Sequence, residues 1–198
     1  MSDDCFFTSC LELRTQSAIG LILLIGLPGS GKSTLAARLQ RQSDQRQLIS
    51  TDAIRAHLSG DEAIQGPWLQ VWREVGCQFR SSVQQILSGQ MAEAIYDATN
   101  VVRKQRRQAI ALARRSGFTH ITGIWLNPAL EVCLARNHQR DRQVPEAVIL
   151  QMHRRLWGAP PAIADGFEVL IEVGDRDGEL ELAERLLTLA VRQSRLCN

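Results

Sequence analysis

A continuous apolar run, Leu21-Ile-Leu-Leu-Ile25, stops at a glycine and runs straight into Gly26-Leu-Pro-Gly-Ser-Gly-Lys-Ser33. An unbroken apolar run bounded by glycine is the pattern of a central parallel strand buried on both faces. The eight residues that follow fit G-x-x-x-x-G-K-[ST], and helical spacing resumes directly after them, which is the context this motif requires. Glycines let the backbone curl so that successive N–H groups point inward at phosphate oxygens, and the next helix adds its positive N-terminal end. Gly26, Leu27, Pro28, Gly29, Ser30, Gly31, Lys32, Ser33 and Thr34 are therefore expected to cradle ATP. Lys32 is expected to reach the β- and γ-phosphates, and the Ser33 hydroxyl to be a ligand for Mg²⁺. Only Lys32 and Lys104 among 23 basic residues are lysines, so a lysine here stands out from an arginine background.

The chain's 198 residues suffice for one domain with a proper core, and no run approaches the length of a membrane span. Met1–Gly20 carries Asp3, Asp4 and Glu12 where a secretory signal needs a basic start. It is read as a loose extension preceding a domain over 21–198. The five cysteines, Cys5, Cys10, Cys77, Cys133 and Cys197, form no metal or redox spacing, so reduced thiols in a cytoplasm are expected. The net charge is +2, but Arg103 to Arg155 holds eleven Lys and Arg against three acids, a strongly basic stretch.

Strand and helix patterns alternate along the rest. Helices are expected over Ser33–Gln42, Trp68–Leu87, Arg103–Ser116, from Pro128 to about Asn137, from Pro145 to Gly158, and over Glu179–Arg195. Strands are expected at Gln47–Ser50, Ala92–Tyr96, Thr119–Leu126 and Glu168–Val173. Such alternation implies an α/β fold, a parallel sheet with helices on both faces joined by right-handed crossovers.

Chemistry is expected at the carboxyl edge of that sheet, where open α/β proteins bind ligands. Asp52, in Ser50-Thr-Asp-Ala-Ile-Arg55, is a candidate base for an attacking hydroxyl, and Arg55 is placed to fix a substrate phosphate or orient that carboxylate. The plainer alternative is an aspartate capping a short helix that opens at Ala53. Asp97, in Tyr96-Asp-Ala-Thr-Asn100, points the same way, to hold a Mg²⁺-bound water or brace Arg55; an ordinary strand-end turn is the alternative. Arg136, Arg140 and Arg142 cluster between the helix after Pro128 and the one beginning at Pro145, where the segment at about 137–144 reads as a lid closing over ATP, against the alternative of a solvated connector. The four tryptophans, Trp68, Trp72, Trp125 and Trp157, are read as core packing more readily than as base-stacking platforms.

Four blocks, Gly26–Thr34, Ser50–Arg55, Asp97–Asn100 and Arg136-Asn-His-Gln-Arg140 with Val144-Pro145, resemble the P-loop kinases related to the 5′-hydroxyl polynucleotide kinase domain of bacteriophage. The resemblance spans roughly Leu21 to Val173. It implies a three-layer αβα fold with a five-stranded parallel sheet ordered 2-3-1-4-5, and ATP with Mg²⁺. It also implies Asp52 as general base, Arg55 on the substrate, and Arg136 and Arg140 clasping phosphates. The third block departs from the phage pattern, in which threonine directly follows aspartate, because Ala98 intervenes. The leading expectation is thus an ATP-dependent phosphotransferase acting on a nucleic-acid 5′-hydroxyl. A small-molecule kinase and an ATP-binding switch without transfer activity are the alternatives.

Overall fold

A computed structural model of the chain describes residues 18–59 and 68–174. In order these residues form β1 (Gly20–Ile25), α1 (Lys32–Gln42), β2 (Arg46–Ser50), α2 (Thr51–Ser59), α3 (Trp68–Leu87), β3 (Glu93–Asp97), α4 (Arg103–Ser116), β4 (His120–Leu126), α5 (Leu130–His138), α6 (Glu146–Gly158) and β5 (Val169–Val173), with one 3₁₀ turn at Ile163–Asp165 before β5. The five strands make one sheet, ordered β2-β3-β1-β4-β5, and every pairing is parallel.

Successive side chains of β1 serve opposite layers, as period-two geometry demands. Leu21, Leu23 and Ile25 join the core under α2, α3, α4 and α6, whereas Ile22 and Leu24 join the core under α1 with Leu35, Ala36 and Leu39. That alternation makes the fold three-layered. Phe79 of α3 anchors the larger core, meeting Tyr96 and Phe118 edge-on at 5.3 and 5.6 Å. Gly117 ends α4 at φ 112°, a left-handed conformation that glycine alone adopts cheaply.

Several boundaries differ from the sequence reading. Pro128 does not open α5; it lies two residues before the helix, which starts at Leu130 after Ala129. Pro145 stands just outside α6, whose first residue is Glu146. In α6 the residues spaced four apart, Val148, Met152 and Leu156, are expected to face the core; Leu156 is buried and Met152 packs against the core, but Val148 is exposed and Ile149 is buried in its place. The expected closing helix Glu179–Arg195 and most of the N-terminal extension lie outside the described residues. None of the described helices is long and apolar enough to cross a membrane.

No pattern in the residues marks a fully buried arginine. Arg106 of α4 has no solvent exposure and donates from Nε to Asp165 Oδ2 at 2.8 Å, from Nη1 to Asn100 O at 3.1 Å, and from Nη2 to Ala159 O and Pro160 O at 3.1 and 3.3 Å. Arg103 adds a bond to Asp165 Oδ1 at 2.9 Å. Burial opposes ionisation of Asp165, but the hydrogen bonds from Arg106 and Arg103 outweigh it and hold the carboxyl below its usual range. A depressed folded pKa contributes stability that is present above the unfolded value and is lost as pH falls through the folded one. Asp165→Asn should cost about 3–5 kcal/mol, because it leaves a guanidinium buried without its counter-charge. Urea titrations at neutral pH should show this loss, and the gap to wild type should narrow as pH drops below about 4.

Candidate active site

The strand order assembles the site. With β3 between β2 and β1, the carboxyl ends of three neighbouring strands deliver Asp52, Asp97 and the Gly26–Ser33 loop side by side, and β4 on the far side of β1 leads into α5 and the arginine segment. Ser50 is paired with Asp97 in the β2–β3 register, and Thr51 Oγ1 donates to Asp97 O at 3.4 Å.

The glycine loop is tightly enclosed. A Cβ on Gly26 would fall 2.7 Å from Leu126 O, and one on Gly29, at φ 80°, would fall 2.3 Å from Cys133 O of α5. Gly31, at φ 97°, turns the chain into α1. The Gly26 amide donates to Thr99 O at 3.0 Å. Asn100, buried and at φ 50°, donates from Nδ2 to Leu24 O at 2.7 Å. The Asp97–Asn100 block is therefore the brace that holds the loop's entrance, and Arg106 in turn holds Asn100 by its carbonyl. Nothing in residue spacing announces this brace except an asparagine suited to a left-handed turn.

Lys32 is buried, and its Nζ donates to Leu27 O at 2.8 Å and approaches Ser30 Oγ at 3.4 Å. Burial lowers its pKa to about 8, partly opposed by the nearby Asp97 carboxylate; Arg140 lowers it further, while Cys133 and Asp52 act in the opposite sense. Asp97 is buried, which raises its pKa, while a hydrogen bond with Ser33 and the Lys32 charge pull it back. Asp97 thus faces the loop's lysine and serine and is not the partner of Arg55. That partner is Asp52, whose Oδ1 accepts from Arg55 Nη1 at 2.6 Å. Helix α2 begins at Thr51, and its Ala53 amide reaches Ser50 Oγ at 3.4 Å, so Ser50 takes the capping position and the Asp52 carboxylate is turned out to solvent.

Of the three arginines, Arg140 lies close enough for Lys32 and Asp97 both to feel its charge, and Arg136 is exposed one turn earlier on α5. The segment carrying Arg140 and Arg142 is closed at its base by buried Asn137, which donates from Nδ2 to Val144 O at 2.9 Å and accepts from Val144 N at 3.0 Å. Both residues sat inside the recognised fourth block, but only the fold pairs them. The core reading of the tryptophans holds for Trp125, and Trp72 packs against the core, whereas Trp68 and Trp157 are about half exposed.

Lys32, Ser33 and the loop amides make a cradle of cationic and polar groups suited to a phosphate chain, with the Asp97 carboxyl beside Lys32 and Ser33. Among the described residues no cluster of three or more His, Cys, Asp or Glu side chains could hold a metal ion. A Mg²⁺ here would instead sit on the Ser33 hydroxyl, with Asp97 beside it, completing its hard oxygen shell from water and phosphate.

The family profile described as an AAA domain matches residues 21–159, so the chain belongs to this family of nucleotide-binding, P-loop kinase-like proteins. No curated protein matches the chain. Among solved structures, one of the Pnkp1/Rnl/Hen1 RNA repair complex superposes with a TM-score of 0.60 at 21% identity, covering 75% of this chain and 47% of that one. This chain therefore spans about half the length of that repair protein. A gluconokinase from Sinorhizobium meliloti 1021 gives 0.57 at 18% identity over 90% of this chain and 95% of its own. Kti12 of Chaetomium thermophilum, in complex with ADP-AlF3, gives 0.56 at 18% over 86% and 98%. At these identities the likeness is one of fold.

Because the free Lys32 ammonium is held in a desolvated place, Lys32→Met should remove a cost and raise the melting temperature of the nucleotide-free protein, while the stabilisation by MgATP disappears. The pH trend has a definite sign. Between about 8 and 10.5 the unfolded chain binds more protons at Lys32 than the folded one, so wild-type stability rises with pH across that window and the variant's does not. Thermal-shift curves with and without MgATP at pH 7.5 and 9.5 would check both.

Proposed function

We propose that this chain is an ATP-dependent phosphotransferase that moves the γ-phosphate of ATP to a hydroxyl acceptor, with a nucleic-acid 5′-hydroxyl as the leading acceptor. The observation that carries this reading is the pairing of a solvent-facing Asp52 carboxylate with Arg55 next to a cradle whose Lys32 feels the Asp52 charge.

In the proposed reaction, the loop amides and Lys32 hold the β- and γ-phosphates. Mg²⁺, carried by Ser33 and flanked by Asp97, supplies neutralising charge there when bound. Asp52 takes the proton of the acceptor hydroxyl as its oxygen bonds to the γ-phosphorus, and the bond to the β-phosphate oxygen breaks with its electron pair leaving on ADP. Arg140, with Arg136 behind it, balances charge on the transferring group and excludes water as the Asn137-closed segment folds over. The segment at 137–144 thus acts as the lid of a kinase domain over 21–198.

A sugar or other small-molecule acceptor is favoured by one observation, the gluconokinase likeness over nearly the whole of both chains. Incubation with γ-labelled ATP and separate 5′-hydroxyl oligonucleotides, nucleosides and sugars tests the two readings together. Label on the oligonucleotide supports the first, and label on a sugar alone replaces it with the second. No label on any acceptor beside intact MgATP binding would make the chain a nucleotide switch.

Asp52→Asn keeps the side chain's size and its bond with Arg55 but takes no proton. Its kcat should fall by roughly 10²–10⁴-fold while MgATP affinity, measured by calorimetry, stays close to wild type. Arg140→Ala should lower kcat more than Arg136→Ala, and Arg142→Ala least, because Arg140 is the arginine whose charge reaches Lys32 and Asp97. Steady-state kinetics on the three variants would show the gradient, and equal small effects would make the segment a solvated connector.

A further inference from the structure

Beyond Asp52 the carboxyl edge continues into an aromatic surface. The Arg55 guanidinium, whose Nη1 is 2.6 Å from Asp52, also lies over the Trp68 ring at 5.9 Å from its centroid. Trp68 stacks with Trp72, one helical turn on, with centroids 5.8 Å apart and planes 24° from parallel. The two rings differ in burial. Trp72 packs against the core, whereas half of Trp68, the first residue of α3, is left open to solvent.

We propose that Trp68, backed by Trp72 and flanked by Arg55, is the acceptor subsite for a planar heterocycle, the nucleobase of the nucleotide whose 5′-hydroxyl faces Asp52. This rests on the reading of Asp52 as the group that meets the acceptor hydroxyl. Three features suit a base. A half-exposed indole held between a second indole and a guanidinium over its ring presents a fixed aromatic surface, and stacking on such a surface tolerates any base because every base has a π-face. The guanidinium over the ring can stack on a base as well, and it places positive charge where the first phosphate of a strand would run. The carboxylate and the aromatic surface are also neighbours, since one guanidinium meets both.

The pair of acceptors that tests this differs in a single base. One is a 5′-hydroxyl oligonucleotide, the other the same strand with an abasic 5′-terminal residue, each tested by steady-state phosphorylation with γ-labelled ATP. Wild type should show a KM roughly 5–150-fold lower for the base-bearing strand, the range that one aromatic stack supplies. Trp68→Ala should bring the two acceptors to nearly the same KM, and Trp68→Phe, which keeps a π-face, should retain most of the difference. Quenching of tryptophan emission on binding gives the same comparison without turnover. Equal KM and equal quenching for the two strands in wild type, or an undiminished difference in Trp68→Ala, would overturn the subsite while leaving oligonucleotide phosphorylation standing. Transfer to sugars with neither binding nor phosphorylation of any oligonucleotide would overturn the proposed acceptor and the subsite together.

Discussion

A single guanidinium ties together the parts of the molecule on which the site rests. Arg106 is sealed from solvent, and its donors are shared among the Asn100 carbonyl, the Asp165 carboxylate and the carbonyls of Ala159 and Pro160 just past α6. A buried cation is tolerable only when it is both paired and hydrogen-bonded, so each of these acceptors is fixed in place by the cost of losing it. Asn100 and Thr99 carry that constraint forward, to Leu24 O and to the Gly26 amide. The entrance to the glycine loop and the end of α6 are thus held through one guanidinium.

This arrangement changes what the basic stretch means. Counted along the sequence, Arg103 to Arg155 is heavily positive. In the fold, Arg103 and Arg106 are committed to Asp165, and Arg114 to Glu168, both carboxylates that lie just beyond the counted window. Glu168 also accepts from the Ile121 amide at 2.6 Å, so the pair ties α4 to the start of β4 and β5. Part of the positive charge is therefore structural cement. Close to the cradle, the positive charge that Lys32 feels from this stretch is that of Arg140, just past α5.

The cradle itself is a place of held tension between burial and charge. Lys32 is desolvated and turned back onto Leu27 O, and Asp97 is desolvated beside it, each moderating the other's cost. A phosphate chain would offer Lys32 a stronger partner than a backbone carbonyl. The glycines leave no room to relax this geometry, since side chains at positions 26 and 29 would strike backbone carbonyls of β4 and α5.

Much of this was legible in the residues alone. The Leu21–Ile25 run, the glycine motif and the strand-helix alternation determined an α/β nucleotide-binding fold, because each is a local pattern whose physics acts over a few residues. The resemblance carried by four blocks added the 2-3-1-4-5 order that the sheet has. What the sequence could not decide were partnerships between distant residues: Arg106 with Asp165, Gly26 with Thr99, Gly29 against Cys133. Spacing carries no information about which buried donor meets which acceptor across 59 residues of chain. The same holds for Asp52 and Trp68. Sequence marked Asp52 as base or helix cap and Trp68 as core, and only packing put Ser50 at the cap position, turned Asp52 outward to Arg55, and left Trp68 exposed beside it.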